Sequence, residues 1–86
     1  MSASEKKIGI VRNFFSKLSV VAIEITEGSL KIGDTIKVKG ASTDFTQKVE
    51  SMEIDRKPVA KAEEGMSVGI KVKERARPGD LVYILS

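Results

Sequence analysis

Neither cysteine nor histidine occurs anywhere in the 86 residues. The chain therefore has no thiolate or imidazole to hold a metal, no structural zinc site, and no Cys/His or Ser/His/Asp nucleophilic machinery. A disulfide framework is excluded as well, which fits a reducing cytoplasm. Charge of one sign is scarce: 15 Lys+Arg against 12 Asp+Glu leaves a net charge of +3. That mild surplus permits an acidic partner and requires none. No apolar run approaches the roughly 20 residues that cross a bilayer, and the opening Met1-Ser2-Ala3-Ser4-Glu5-Lys6-Lys7 lacks the apolar stretch of a secretion signal. Residues 1–6 read as a disordered tail and 7–86 as a single domain of a cytoplasmic protein with no membrane contact. With 41% hydrophobic and 31% charged residues the composition is that of a globular domain. A chain of this length buries roughly two-thirds of its unfolded surface, which leaves little room for an enclosed cleft.

What is present is a strand period. From Ile8 onward apolar residues recur mostly at spacing two, in short bursts separated by glycine-containing turns. The bursts predict six strands: the first from Ile8 to Val11, running toward Phe14-Phe15 with Asn13 to Leu18 as the connection, then 19–25, 35–39, 45–54, 67–73 and 81–85. In the fourth, Phe45 and Val49 are odd-numbered while Met52 and Ile54 are even, so one extra residue is needed to bury both sets. The expectation is a β-bulge at Glu50-Ser51. Lys57-Pro58-Val59 cannot continue a central ladder, because proline lacks the amide donor, and one helical turn is expected between residues 59 and 65. Nowhere does an amphipathic helix of about 11 residues or more appear.

A short pattern recurs three times, in Gly33-Asp34-Thr35-Ile36-Lys37-Val38, Gly65-Met66-Ser67-Val68-Gly69-Ile70 and Gly79-Asp80-Leu81-Val82-Tyr83-Ile84. Each places a glycine three residues before an inward β-branched residue, which predicts a turn of positive φ or of tight backbone approach, followed at once by a half-buried strand. The units are too short and too irregularly spaced for a solenoid. Six short strands with glycine turns make an all-β protein, a small barrel or sandwich, and closure is favoured because it removes exposed edges.

These residues carry a resemblance. Gly9-x-Val11, the run from Gly28 to Ile36, Val49-Glu50-Ser51-Met52-Glu53-Ile54, Gly65-Met66-Ser67-Val68-Gly69-Ile70 and Pro78-Gly79-Asp80 occur in the order found in domain II of translational GTPases. The chain resembles that barrel, and most of all the small free-standing elongation factor-like proteins. The resemblance implies a six-stranded closed antiparallel Greek-key barrel of the translation-factor domain II type. It also implies a site for the 3′ end of tRNA, in which the family's glutamate falls on Glu53, its arginine on Arg56 and its asparagine on Ser67. No Gly-x-x-x-x-Gly-Lys-[Ser/Thr] and no Asn-Lys-x-Asp is present, so no GTP binding of its own, and no other cofactor, is expected.

Charge adds candidates. Lys71, Lys73, Arg75 and Arg77 alternate and would share one face if the strand ran on that far, forming a track for a polyanion. Arg56 and Lys57, with Lys61 nearby, form a second basic group beside Glu53. Phe14 and Phe15 are adjacent, so a strand turns them to opposite faces and exposes one of them beside Arg12, Asn13 and Lys17. Phe45 is expected in the core. Glu63-Glu64 and Glu50/Glu53 lack the cleft that would make an acid/base couple, and Asp34 and Asp80 follow turn glycines and read as turn formers. The expectation is a non-catalytic module, not an enzyme, binding tRNA 3′ ends or ribosomal RNA through Glu53, Arg56, Lys57, Ser67, Lys71, Lys73, Arg75 and Arg77. The alternative is a protein-interaction adaptor, since similar barrels also accompany enzymes such as U32-type peptidases.

Overall fold

The computed structural model of the chain describes residues 5–85. Ten strands follow one another: β1 (Glu5–Phe15), β2 (Val20–Ile25), β3 (Ser29–Lys31), β4 (Thr35–Lys39), β5 (Asp44–Lys48), β6 (Met52–Ile54), β7 (Lys57–Pro58), β8 (Lys61–Glu63), β9 (Ser67–Lys71) and β10 (Leu81–Leu85). Among the described residues there is no helix, and so none long and apolar enough to cross a membrane. The expected tail ends sooner than residue 6, because Glu5 and Lys6 pair with Leu85 and Ile84. Residues 1–4 of that tail lie outside the described residues.

Alternation makes the strands. In β2, Val21, Ile23 and Ile25 are fully buried while Val20, Ala22 and Glu24 face outward, half-exposed. Val68 and Ile70 of β9 and Ile36 and Val38 of β4 repeat the pattern. Each such side chain contributes ~1.5–3 kcal/mol on burial. The three glycine repeats fold alike. Gly33, Gly65 and Gly79 have φ of 99°, 90° and 94°, and the turns close through Asp34 N–H to Lys31 O, Met66 N–H to Glu63 O and Asp80 N–H to Arg77 O. Asp34 and Asp80 also accept, through Oδ2, the amide three residues back. Both are turn formers.

The strands form one eight-stranded antiparallel sheet in the order β5-β4-β10-β1-β2-β9-β6-β7, with β3 and β8 as a separate ribbon. This corrects the closed six-stranded barrel, because the end strands β5 and β7 share no ladder. The two ends nevertheless lie close. The chain passes from β5 at one end to β6, next to the other end, between Lys48 and Met52, a span of roughly 14 Å at most. The sheet therefore curls around its core, and a Cα radius of gyration of 11.5 Å matches the ~12 Å of a compact chain this long. The β3–β8 ribbon adds Leu30 and Ala62, directly opposite one another and fully buried.

That passage also replaces the expected bulge at Glu50-Ser51. The parity fault is resolved by a break into two strands with different partners, β5 on β4 and β6 on β9 and β7. Phe45, Val49 and Met52 are buried and Ile54 packs half-buried against them. The register does shift elsewhere, in β1, between Lys7 and Gly9 and again between Val11 and Asn13. These shifts bring Ile8 and Val11, of opposite parity, both into the core. Gly9 is required there, since a Cβ would lie 2.5 Å from the Glu24 carbonyl oxygen. Pro58 sits in the edge strand β7, as its missing amide demands, and the helical turn expected between residues 59 and 65 is instead β8 with its turn.

Candidate functional site: a trench across β2, β9 and β6

The outer face of the sheet is not uniformly polar. Register sets Val20 opposite Lys71, Ala22 opposite Gly69 and Glu24 opposite Ser67, with Glu53 of β6 on the far side of Gly69. Outward strand positions normally carry long polar side chains. Here three neighbouring ones are Ala22, Gly69 and Ser67, so the surface sinks into a trench of about 880 Å³. From Ser67 to Lys71 the floor runs roughly 13 Å, about four residues of an extended chain.

Two turns stand at its ends. At the Lys71 end the β1–β2 turn supplies Phe15 and Leu18, 45% and 64% exposed. Of the adjacent aromatics, Phe14 packs half-buried against the core and Phe15 is the exposed one. At the Ser67 end, Asp55 and Arg56 form the two-residue loop of the β6–β7 hairpin, in which Ile54 pairs with Lys57. Their φ values are 52° and 65°. Two consecutive positive φ angles suit Asn-Gly or Asp-Gly, so Asp55 is at home there, while holding Arg56 at the glycine position costs on the order of 1–3 kcal/mol. Strain of this kind gathers at binding sites because it aims a side chain.

Glu53, Asp55, Arg56 and Lys71 all line the trench. Among the described residues none of them is in an ion pair, the pairs being Arg12–Glu24, Lys31–Asp34 and Lys37–Glu5. The trench therefore offers an apolar floor, two exposed apolar side chains and unpaired charges of both signs.

Of the eight residues expected at a site, Glu53, Arg56, Ser67 and Lys71 come together here. Lys57 lies in β7 and does not line the trench. The expected track through Lys73, Arg75 and Arg77 does not form a strand face, because the β9 ladder ends at Lys71. Lys73 N–H is held by the Gln47 side chain, and Arg75 and Arg77 line a separate cleft. Sequence reading missed Leu18, Val20, Ala22, Asp55 and Gly69. Small residues at two outward strand positions were the available signal, and the strained loop left none.

The chain is 45% identical over 80 residues to an uncharacterized protease of Methanocaldococcus jannaschii, a match that covers 92% of this chain and 19% of the protease. It is 39% identical over 84 residues to a collagenase of Porphyromonas gingivalis, covering 94% of this chain and 20% of the collagenase. These relatives in sequence are proteases. The chain spans about one fifth of the length of each, and no family model matches it. In structure it superposes on the C-terminal domain of a Geobacillus thermoleovorans protein assigned to the U32 peptidases with a TM-score of 0.84 at 19% identity, covering 90% of this chain and 96% of that domain. GDP-bound aIF5B from Aeropyrum pernix follows with a TM-score of 0.63 at 15% identity, over 95% of this chain and 14% of the factor.

The resemblance to a free-standing elongation factor-like protein is corrected by these matches. A translation-factor barrel shares the fold, which is what the marks quoted for it, glycine turns and Gly-Asp pairs, encode. Those marks are turn chemistry, and turn chemistry follows the fold and not the function. With the resemblance fall the role in protein synthesis and the RNA ligand inferred from it. The expectation of a non-catalytic module, not an enzyme, is corrected too: the relatives bear the names protease and collagenase, which points to a peptidase-family protein of which this chain spans about one fifth.

Proposed function

We propose that the chain is a protease-associated domain that takes hold of a polypeptide in the trench over β2, β9 and β6. The observation that carries this reading is the low floor of Ala22 and Gly69 between two turns, with Phe15 and Leu18 exposed beside it. An extended segment of about four residues fits that floor. Its side chains would meet Phe15, Leu18 and Val20 at one end, and its polar groups Glu53, Ser67, Arg56 and Lys71. The names of the relatives support a polypeptide as the occupant, since a protease and a collagenase act on protein chains. A permanent domain interface is a poorer fit, because such surfaces bury on the order of 800 Å² per partner and exclude unpaired charge from their centre.

The test is fluorescence anisotropy of labelled peptides from denatured collagen. The wild-type domain should bind them saturably, and Phe15→Ala combined with Leu18→Ala should weaken binding about tenfold or more while leaving the fold intact, because both side chains are exposed. Equal binding by the two proteins would overturn the reading.

A further inference from the structure

The segment between β9 and β10, residues 72–80, makes no ladder, yet its course is fixed. Val72 N–H donates to Ser19 O (2.8 Å), Lys73 N–H to Gln47 Oε1 (2.9 Å), Arg77 N–H to Asp80 Oδ2 (2.9 Å) and Gly79 N–H to Val11 O (2.8 Å). Val72, Ala76 and Asp80 are buried along it. An irregular segment anchored at both ends in this way displays the side chains between its anchors. Those it displays are Lys73, Arg75 and Arg77, all exposed and none in an ion pair among the described residues. The one acidic neighbour not already committed to the turn is Glu74. Arg75 and Arg77 flank buried Ala76 and, with Pro78, Asn13 and Phe14, line a cleft of about 340 Å³.

Folding has no need of two unpaired guanidinium groups on an anchored segment beside an aromatic ring. The guanidinium fork matches a planar carboxylate and binds it by two parallel hydrogen bonds, and an adjacent ring favours arginine over lysine. We infer that this cleft is a carboxylate-binding site, taking an acidic side chain or the C-terminal carboxylate of a polypeptide.

The cleft and the trench lie on two sides of the same hairpin. Phe14 lines the cleft and its neighbour Phe15 lines the trench, so a polypeptide that occupies both passes around the tip of the β1–β2 hairpin. The identity of the ligand as a polypeptide rests on the reading of the trench; the carboxylate site rests on Arg75 and Arg77.

The experiment separates the two. Labelled peptides sharing an apolar stretch would be compared in three forms: glutamates after the stretch with an amidated end, glutamines with an amidated end, and glutamines with a free terminal carboxylate. The wild-type domain should bind at least one carboxylate form roughly tenfold tighter than the neutral form, and the form preferred identifies the source. In Arg75→Gln/Arg77→Gln that preference should vanish while binding of the neutral peptide stays. In Phe15→Ala/Leu18→Ala all forms should weaken and the preference remain. A preference that survives loss of both arginines, or no preference in the wild type, overturns the carboxylate site and leaves the trench reading standing. An arginine-dependent preference with no effect of Phe15→Ala/Leu18→Ala does the reverse. Displacement of the acidic peptide by inorganic phosphate or a short DNA strand at concentrations where free glutamate fails would make the cleft a phosphate site and overturn the proposal.

Discussion

The side-chain amide of Gln47 ties the edge strand β5 to the end of β9 and the residues just beyond it: its Oε1 accepts the Lys73 N–H at 2.9 Å and its Nε2 donates to the Lys71 carbonyl at 3.0 Å. Gln47 belongs to the edge strand β5, and Lys71 ends β9. One side chain thus does between these two strands what a backbone ladder does elsewhere in the sheet. Gln47→Ala should therefore cost about 1–3 kcal/mol, the scale of two hydrogen bonds lost with their partners left behind. Urea denaturation checks this, and an unchanged midpoint would show that the tie carries no load.

Val49 marks the point where the chain crosses from β5 to β6. It is fully buried, its N–H donates to Asp34 O and its carbonyl accepts the Gly33 N–H, at 2.8 and 2.9 Å. Val49→Asp would place an unpaired carboxylate in the core at a cost of several kcal/mol, enough to unfold a domain this small. Circular dichroism should show a chain without cooperative melting.

The strained loop makes a prediction of opposite sign. Replacing Asp55-Arg56 by Asn-Gly should stabilise the domain by roughly 1 kcal/mol, because those residues adopt positive φ with little cost. If Arg56 serves the trench, the same variant should bind polypeptide more weakly. A gain in thermal midpoint with unchanged peptide affinity would remove Arg56 from the site.

Lys37 and Glu5 lie on β4 and β1, on either side of β10, with Nζ 3.1 Å from Oε2. The hydrogen bond to Glu5, followed by its charge, raises the Lys37 pKa above 10.5. A raised lysine pKa contributes stability that is fully present below the unfolded value and lost as pH climbs through the folded one. Glu5→Gln should lower the Lys37 titration, followed by the NMR shift of its Cε, and flatten the fall in stability above pH 10.5. No change in that titration would show the pair to be broken in solution.

Much of the fold is legible in the sequence, because strand burial is a period-two property. Val21, Ile23 and Ile25 announce their face, and Gly33, Gly65 and Gly79 announce their turns. Closure is not legible. Phe45, Val49, Met52 and Ile54 reveal a parity fault, and a bulge within one strand or a break between two satisfies it equally well. Which occurs depends on what Met52 pairs with, namely Ile70, and on the grip of Gln47 on a segment more than twenty residues away. The site follows the same division. Glu53, Arg56, Ser67 and Lys71 were visible as chemistry, whereas the trench that unites them is made by what Ala22 and Gly69 lack. Arg75 and Arg77 were read as a strand face because alternation continues past Lys71, but the ladder does not.

The central claim, that the trench holds a polypeptide, is tested most directly by titrating an unlabelled peptide from denatured collagen into the ¹⁵N-labelled domain and following every amide shift. The account predicts saturable shifts concentrated at Leu18, Ala22, Glu53, Arg56, Ser67 and Gly69, with Asp44 to Lys48 and the β3–β8 ribbon unmoved. Shifts confined to those other regions, or none at peptide concentrations approaching millimolar, would contradict it.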